Sequence, residues 1–345
     1  MEIYILSFAV AFFVALIATP AAKKLAYKIG AIDIPKDKRR VHKKPVPRLG
    51  GVAIYLGTIL SILLFLPKSH TNLGIIAGCT IIAILGVFDD KYELKSKVKL
   101  LGQLLAALVV VLSGVKIEWL TNPFGDGMIN LGIFAIPLSI FWVVGITNAM
   151  NLIDGLDGLA AGIASISSGS LFVVSLLNGR YATAIITAAV TGAALGFLPY
   201  NFNPAKIFMG DTGAMFLGFV LSAVSIQGAV KSAAAIAIAV PILALGVPVF
   251  DTTFAIIRRV INKKPIMEAD KGHLHHRLLA LGLTQKQAVL VMYGVSLFLG
   301  ISAILITYTS GIEGLIILIV SVLAVLWGAD KMGLYGHKAK NMNAN

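Results

Sequence analysis

Apolar runs long enough to cross a bilayer follow one another along almost the whole chain, and no other feature constrains its folding as much. A helix of about 20 apolar residues spans a hydrocarbon layer of roughly 30 Å. Such runs lie near residues 3–22, 49–67, 72–88, 98–115, 131–147, 158–177, 181–199, 212–230, 232–257, 288–308 and 311–328. In lipid every backbone amide must find its partner inside the segment, so the runs predict helices. The expected fold is all-α, a polytopic integral membrane bundle of about eleven transmembrane helices. It forms a single membrane domain over residues 1–345 whose last part, 329–345, is a cytoplasmic tail. With 58% hydrophobic and 13% charged residues, no room remains for a sizeable soluble domain. Pro137, Pro241 and Pro248 fall inside the runs and predict that one span is broken.

Charge gives the expected orientation. Lys and Arg collect on the cytoplasmic side of membrane proteins. With the N-terminus outside and the C-terminus inside, all 29 Lys and Arg except Lys68, Lys116, Arg180 and Lys231 fall inside. Of the acids, Glu2, Glu118, Asp126 and Glu313 fall outside, so the outer face is neutral and the net +13 sits within. That balance suits anionic headgroups or a phosphorylated ligand, and nucleic acid is not an expected partner for a chain with no soluble reader domain. Glu2 precedes the first run and Lys23 and Lys24 follow it, an order unlike that of a cleaved signal peptide. Cys79 is the single cysteine, so a disulfide or a cysteine metal cluster within the chain is excluded.

The carboxylates stand where a transporter would not place them. A charge at mid-bilayer costs about 2.5 to 3.5 kcal/mol on insertion scales. Asp89, Asp90, Asp154, Asp157, Asp211 and Asp251 avoid that zone and sit near the cytoplasmic ends of the runs. Transporters favour the midplane and internal repeats, and neither pattern occurs here. Acids gathered at one membrane surface predict an active site open to the cytoplasm and to lipid.

Five stretches carry the chemistry, each beside a plainer reading. Arg39 to Gly51 is a basic loop, an ordinary positive-inside anchor, except that Arg48 stands next to Gly50 and Gly51, which permit close approach to a phosphate. The adjacent acids Asp89 and Asp90 repel, which suits metal binding or proton abstraction, against a solvated loop neutralised by its lysines. Lys99 follows at the head of an apolar run, placed to snorkel or to meet an anion. Asn148, Asn151, Asp154 and Asp157 recur every third residue, with Gly155 and Gly158 opening the helix. Such polar groups are costly at a span end unless they bind something, the alternative being a structural helix-end network. Asp211 begins the eighth run, where it would cap free amides or share a divalent cation with phosphate, and Phe208 before it could stack on a base. Finally His273, His275, His276 and Arg277 read as a diphosphate clamp rather than a zinc site, since no cysteine or nearby fourth ligand completes one.

Taken in order, these stretches resemble the polyprenyl-phosphate N-acetylhexosamine-1-phosphate transferases of the TagO/WecA type. The most specific are Gly86-Val87-Phe88-Asp89-Asp90, Asn148 through Gly158, Phe208-Met209-Gly210-Asp211-Thr212-Gly213 and His273-Leu274-His275-His276-Arg277. The resemblance implies a multi-pass enzyme of the bacterial plasma membrane that moves GlcNAc-1-phosphate from UDP-GlcNAc to undecaprenyl phosphate and releases UMP. It implies Mg²⁺, with Mn²⁺ as a substitute, held by Asp211 and Asn151. Asp89 or Asp90 would deprotonate or orient the lipid phosphate, or act as nucleophile. Lys99 would contact phosphate, Phe208 would stack on uracil, Asp157 would bond the base, and the histidines with Arg277 would hold the pyrophosphate or sugar. Asn148, Asp154 and Arg48 complete the expected substrate-binding set. The expected product feeds a cell-envelope polymer such as wall teichoic acid. Membrane lipid is an expected partner, and family members form dimers, so a homodimer is expected too. The related phospho-MurNAc-pentapeptide transferase and, from another class, a membrane transporter are the competing readings. Pro241 and Pro248 are expected to bend the ninth span and open a lipid groove with Asp251 at its inner end.

Overall fold

The computed structural model describes residues 1–34, 45–121, 127–228, 239–263, 272–309 and 312–331. Its helices are α1 (Glu2–Ile29), α2 (Gly51–Phe65), α3 (His70–Tyr92), α4 (Ser96–Leu112), α5 (Ala135–Ile153), α6 (Leu159–Leu177) and α7 (Tyr181–Asn201). They continue as α8 (Gly210–Gly228), α9 (Ala239–Ala244), α10 (Gly246–Ile261), α11 (Leu274–Ala280), α12 (Gln285–Tyr308) and α13 (Ile312–Lys331). Seven helical segments among the described residues are long and apolar enough to cross a membrane: those of α1, α3, α5 with the turn before it, α6, α7, α12 and α13. The chain is a polytopic helical membrane protein.

The remaining expected spans are compromised in identifiable ways. α2 has 15 residues and α4 has 17, short for a bilayer. α8 opens on polar Gly-Asp-Thr-Gly and is buried along almost its whole length, at the centre of the bundle. The ninth span is broken as expected: α9 and α10 are separate helices meeting at Leu245, with Pro241 in α9 and Pro248 in the first turn of α10. A proline there removes only an amide that has no intrahelical partner. Residues 229–238, 35–44, 264–271 and 332–345, and so most of the expected tail and of the basic loop before Arg48, lie outside the described residues.

Two features depart from the all-α expectation. Short antiparallel pairs join β1 (Ile32–Asp33) to β2 (Val46–Pro47), and β3 (Trp119–Thr121) to β4 (Met128–Asn130). Alternation over two or three residues is too short to register against long apolar runs.

Small residues set the packing. α1 lies against α7, where a Cβ on Gly192 or Gly196 would collide with the carbonyls of Phe8 or Phe12. Without a hydrophobic drive between helices in lipid, such close backbone contact supplies the dispersion that holds them. Ser7 and Ser61 hydroxyls, 2.8 Å apart and buried, tie α1 to α2. α2, α3, α5 and α6 surround α8, so the polar head of α8 meets the ends of its neighbours at one end of the bundle. α13 instead leaves large apolar side chains such as Ile316, Leu323 and Trp327 exposed, as a lipid-facing helix should.

Candidate active site

The site is built around the head of α8. Glycines let the backbones converge there: a Cβ on Gly51 would overlap the backbone of Gly213, and one on Gly86 would overlap Thr212. The segment before α2 runs beside the segment before α8, with Phe208 N–H donating to Pro47 O at 2.8 Å and Gly50 N–H to Phe208 O at 2.9 Å. Gly210, at φ +69°, turns the chain into α8, and the left-handed region favours glycine. Asp211 does not cap this helix. Asp90, 121 residues away in sequence, does so: its carboxylate accepts from Asp211 N–H at 2.8 Å, Thr212 N–H at 3.1 Å and the Thr212 hydroxyl at 2.6 Å.

Asp89 and Asp90 were expected where the third span leaves the membrane. α3 instead continues to Tyr92 and buries both, at 2% and 1% exposure, which removes the solvated-loop reading. Being consecutive on a helix, they diverge. Asp90 turns to α8, while Asp89 Oδ1 accepts from Leu94 N–H at 2.8 Å and Oδ2 lies 2.7 Å from the Lys99 ammonium. Among the described residues no well-directed hydrogen bond satisfies Oδ2 beyond this contact. Lys99 Nζ is also 3.8 Å from Asp211 Oδ2, and Asp211 Oδ1 accepts from the Asn151 amide. Asp89, Lys99, Asp211 and Asn151 thus meet, drawn from α3, α4, α8 and α5. Arg48 closes one side, donating to Asp90 O at 2.9 Å and pairing with Glu93 at 3.2 Å.

The donor chemistry fits one kind of metal. Among the described residues no three His, Cys, Asp or Glu form a cage. Asp211 and Asn151 offer hard oxygens in a half-open position, as suits Mg²⁺, which retains waters and takes further ligands from substrate phosphates.

The turn between α5 and α6 forms the next wall. α5 stops at Ile153, and Gly158, at φ +81°, precedes α6, so the glycines open the helix as expected. Asp154 is pushed up to about 8 by burial and by the charges of Asp211 and Asp157. Asp157 Oδ2 accepts from the Asn203 amide and from Ala205 N–H, both at 2.9 Å, and Asn203 continues to Gln285 at 2.7 Å. Asn201 binds Gly158 N–H at 3.1 Å and Ile207 O at 3.1 Å. The loop that presents half-buried Phe208 is therefore strapped to the Asp157 turn.

The histidines approach from α11. His275 is buried against Gly155, where a Cβ would strike its ring. His273 stacks on His275 at 5.9 Å between ring centroids, and His276 lies 4.2 Å from His275. Burial, with the neighbouring His276 next, holds the His275 imidazole down at about 3, so it is neutral at physiological pH. Arg277 is half-buried and donates to Gly272 O at 3.3 Å.

Of the expected residues, Asp89, Asp90, Lys99, Asn151, Asp211, Arg48 and Phe208 come together directly around the head of α8. Asp154, Asp157, His273, His275 and His276 join through the 154–158 turn. Asn148 is placed differently: its amide pairs with buried Gln103, donating at 2.7 Å and accepting at 3.3 Å, in the helix-end network that was its plainer reading. Gln103, Thr212, Asn203 and Glu93 also hold the site and were not among the expected site residues: a lone amide such as Gln103 in an apolar run carries no pattern, and the other three stand close in sequence to more telling residues. The His-Leu-His-His-Arg stretch signalled the clamp, but the anchor of His273, Asp251, lies on a different helix.

A family model for glycosyl transferase family 4 matches residues 72–229. The chain is 44% identical to the probable undecaprenyl-phosphate N-acetylglucosaminyl 1-phosphate transferase of Bacillus subtilis, over 97% of this chain and 94% of that protein. It is 39% identical to the decaprenyl-phosphate N-acetylglucosaminephosphotransferase of Mycolicibacterium smegmatis, over 83% of this chain and 77% of that one. It is 33% identical to the phospho-N-acetylmuramoyl-pentapeptide-transferase of Halalkalibacterium halodurans, over 87% and 95%. With four motif stretches converging at one end of a helical membrane bundle and matches of this extent, the chain belongs to the polyprenyl-phosphate N-acetylhexosamine-1-phosphate transferases, a family of membrane phosphotransferases.

Proposed function

We propose that the protein transfers GlcNAc-1-phosphate from UDP-GlcNAc to undecaprenyl phosphate, giving undecaprenyl-diphosphate-GlcNAc and UMP. The observation that carries this reading is the meeting of Asp89, Lys99, Asp211 and Asn151 at the ends of four helices, where a phosphate on a membrane-embedded tail and one from a soluble nucleotide can reach each other.

The geometry divides the labour of the two adjacent acids. Asp90 is committed to three donors at the head of α8 and anchors the site. Asp89 retains an oxygen toward Lys99 and is the acid that removes or holds the proton of the lipid phosphate. An oxygen of that phosphate attacks the sugar-bearing phosphorus of the donor, and the bond from that phosphorus to the UMP oxygen breaks. Lys99 and Arg48 offset the repulsion between the two anions, which in a partly dehydrated site amounts to several kcal/mol. Asp211 and Asn151 would hold Mg²⁺, which supplies charge neutralisation to the diphosphate. Phe208 stacks on the uracil and the Asp157 turn borders the base. The histidines of α11, with Arg277, border the diphosphate and the sugar.

The same reading sets the enzyme in a bacterial plasma membrane with this end of the bundle cytoplasmic, a side that the distribution of Lys and Arg supports. Eleven crossings are counted with α2, α4, α8 and the broken α9–α10 pair as spans. An apolar cavity of about 120 Å³ between α10, α12 and α13, lined by Phe250, Phe254, Phe298 and Val325 and bordered by Asp251, supports a prenyl tail lying along the bent ninth span. The product would begin a cell-envelope polymer such as wall teichoic acid.

Proteoliposomes containing the protein, undecaprenyl phosphate and Mg²⁺ test this directly. With external UDP-GlcNAc, lipid-linked GlcNAc diphosphate is expected by mass spectrometry, together with one UMP per product. Uptake of nucleotide sugar without UMP would establish a transporter instead.

A further inference from the structure

Asp251 lies on α10, outside the cluster around Asp211, and is 4% exposed. Both its oxygens are engaged. Oδ2 is 2.8 Å from Nδ1 of His273, and Oδ1 accepts the Leu274 N–H at 2.7 Å. A carboxylate only accepts, so Nδ1 of His273 must carry the proton of this contact. The second bond caps the short α11, so one carboxylate fixes both the ring and the backbone that bears it. Both partners are buried, Asp251 beside an apolar cavity lined by Phe250, Phe254 and Phe298, and burial strengthens such a bond. Among the described residues, Arg258 packs on Gly272 beside the pair and the neutral imidazole of His275 stacks on His273.

We infer that Asp251 is a positioning residue for phosphosugar transfer: it holds His273 with its proton on Nδ1 and docks α11, so that Nε2 is the ring atom presented to the diphosphate. The inference rests on the transferase reading and adds to it a residue that touches no substrate. An imidazole held by a carboxylate keeps one orientation and one tautomer, as metal-bound histidines do when a carboxylate backs them. With both nitrogens protonated the ring donates Nε2–H to diphosphate oxygens as they gain charge, and it adds a positive charge, backed by Asp251, that the neutral Nε2–H ring of Asp251→Asn does not supply.

Asp251→Asn separates this role from mere docking. The asparagine oxygen can still accept from Leu274 N–H, but its NH₂ facing the ring forces the opposite tautomer, with the proton on Nε2. Activity and histidine nitrogen spectra are measured on the full-length protein in detergent, with UDP-GlcNAc, undecaprenyl phosphate and Mg²⁺ for the assay. Asp251→Asn is expected to keep the wild-type melting temperature and to change KM for the nucleotide sugar less than about threefold. Its kcat is expected to fall about ten- to a hundredfold, the range seen when an outer carboxylate behind a histidine is lost. In ¹⁵N-histidine spectra the protonated nitrogen of His273 should move from Nδ1 to Nε2. On a His273→Ala background the same substitution should cost nothing further. Wild-type kcat in Asp251→Asn, or an equal loss on the His273→Ala background, would overturn the inference. Should the wild-type protein release no UMP, the transferase reading falls, while the wild-type spectra still decide the pairing: protonation at Nδ1 upholds it and protonation at Nε2 alone refutes it.

Discussion

The carboxylate of Asp90 accepts the backbone amide of Asp211 at 2.8 Å, so the acid on α3 fixes where α8 begins and where its acid stands. Thr212 adds an amide and a hydroxyl to the same carboxylate. In the proposed reaction Asp90 is thereby structural and Asp89 chemical, although they are neighbours. Asp90→Asn replaces an acceptor with a donor that faces other donors, and an unsatisfied buried group costs about 1–3 kcal/mol. The variant should melt at a lower temperature and lose most turnover. Asp89→Asn keeps an acceptor for Leu94 N–H and should lower the melting temperature less than Asp90→Asn, yet lose turnover by about 10²–10⁴-fold, the usual worth of general acid–base catalysis. Thermal unfolding and UMP release on both variants check this, and equal stability losses would merge the two roles.

Asp211→Asn keeps the head of α8, because the backbone amide and not the side chain is capped. It removes the negative charge that faces Lys99 and leaves one neutral oxygen beside Asn151. The expected result is a folded protein that loses most activity and needs a higher Mg²⁺ concentration for half-maximal rate. A Mg²⁺ titration of the residual activity measures it, and an unchanged midpoint with normal turnover would remove Asp211 from metal binding.

His275 makes stability depend on pH. Its imidazole is held at about 3 when folded, against an ordinary 6.5. The unfolded chain binds the proton first as pH falls, so the contribution is complete above about 6.5 and is lost progressively toward 3. The slope from one such group is at most about 1.4 kcal/mol per pH unit. Asp154, pushed up to about 8, acts in the opposite sense over this range, so the test is a difference: from pH 7 to pH 4 the melting temperature of the wild type in detergent should fall relative to that of His275→Gln. Parallel curves would show that His275 is not the group responsible.

Gly51→Ala tests the convergence of backbones. The added Cβ would overlap the backbone of Gly213, which cannot move aside as a flexible side chain could. Overpacking of this kind costs typically about 1–3 kcal/mol, and the displaced head of α8 should cut activity as well. Calorimetry and UMP release on this variant measure both effects, and a wild-type result would show that α2 and α8 are more loosely packed than described.

Sequence and structure agree where the chemistry forces a pattern. Apolar runs must become helices in lipid, and Gly155 and Gly158 must break one. Pro241 and Pro248 announced the broken ninth span. Acids that avoid the midplane announced the end at which the site lies. The partners were not legible. Nothing near Asp90 in sequence says that it caps a helix starting at Gly210, or that Asn148 pairs with Gln103, because these bonds join residues brought close only by packing. Helix ends also shift: Asp89 and Asp90 read as the start of a loop, yet α3 tolerates them because α8 and Lys99 meet them there. The chains β1–β2 and β3–β4 were lost beneath the stronger helical signal.

The most direct measurement sets two donors against one acceptor. Purified protein with undecaprenyl phosphate and Mg²⁺ is given either UDP-GlcNAc or UDP-MurNAc-pentapeptide, and UMP is followed over time. UMP released from UDP-GlcNAc, dependent on the lipid and abolished by Asp89→Asn, is the predicted result. Release from UDP-MurNAc-pentapeptide alone, or no UMP from either donor, would contradict the proposed reaction.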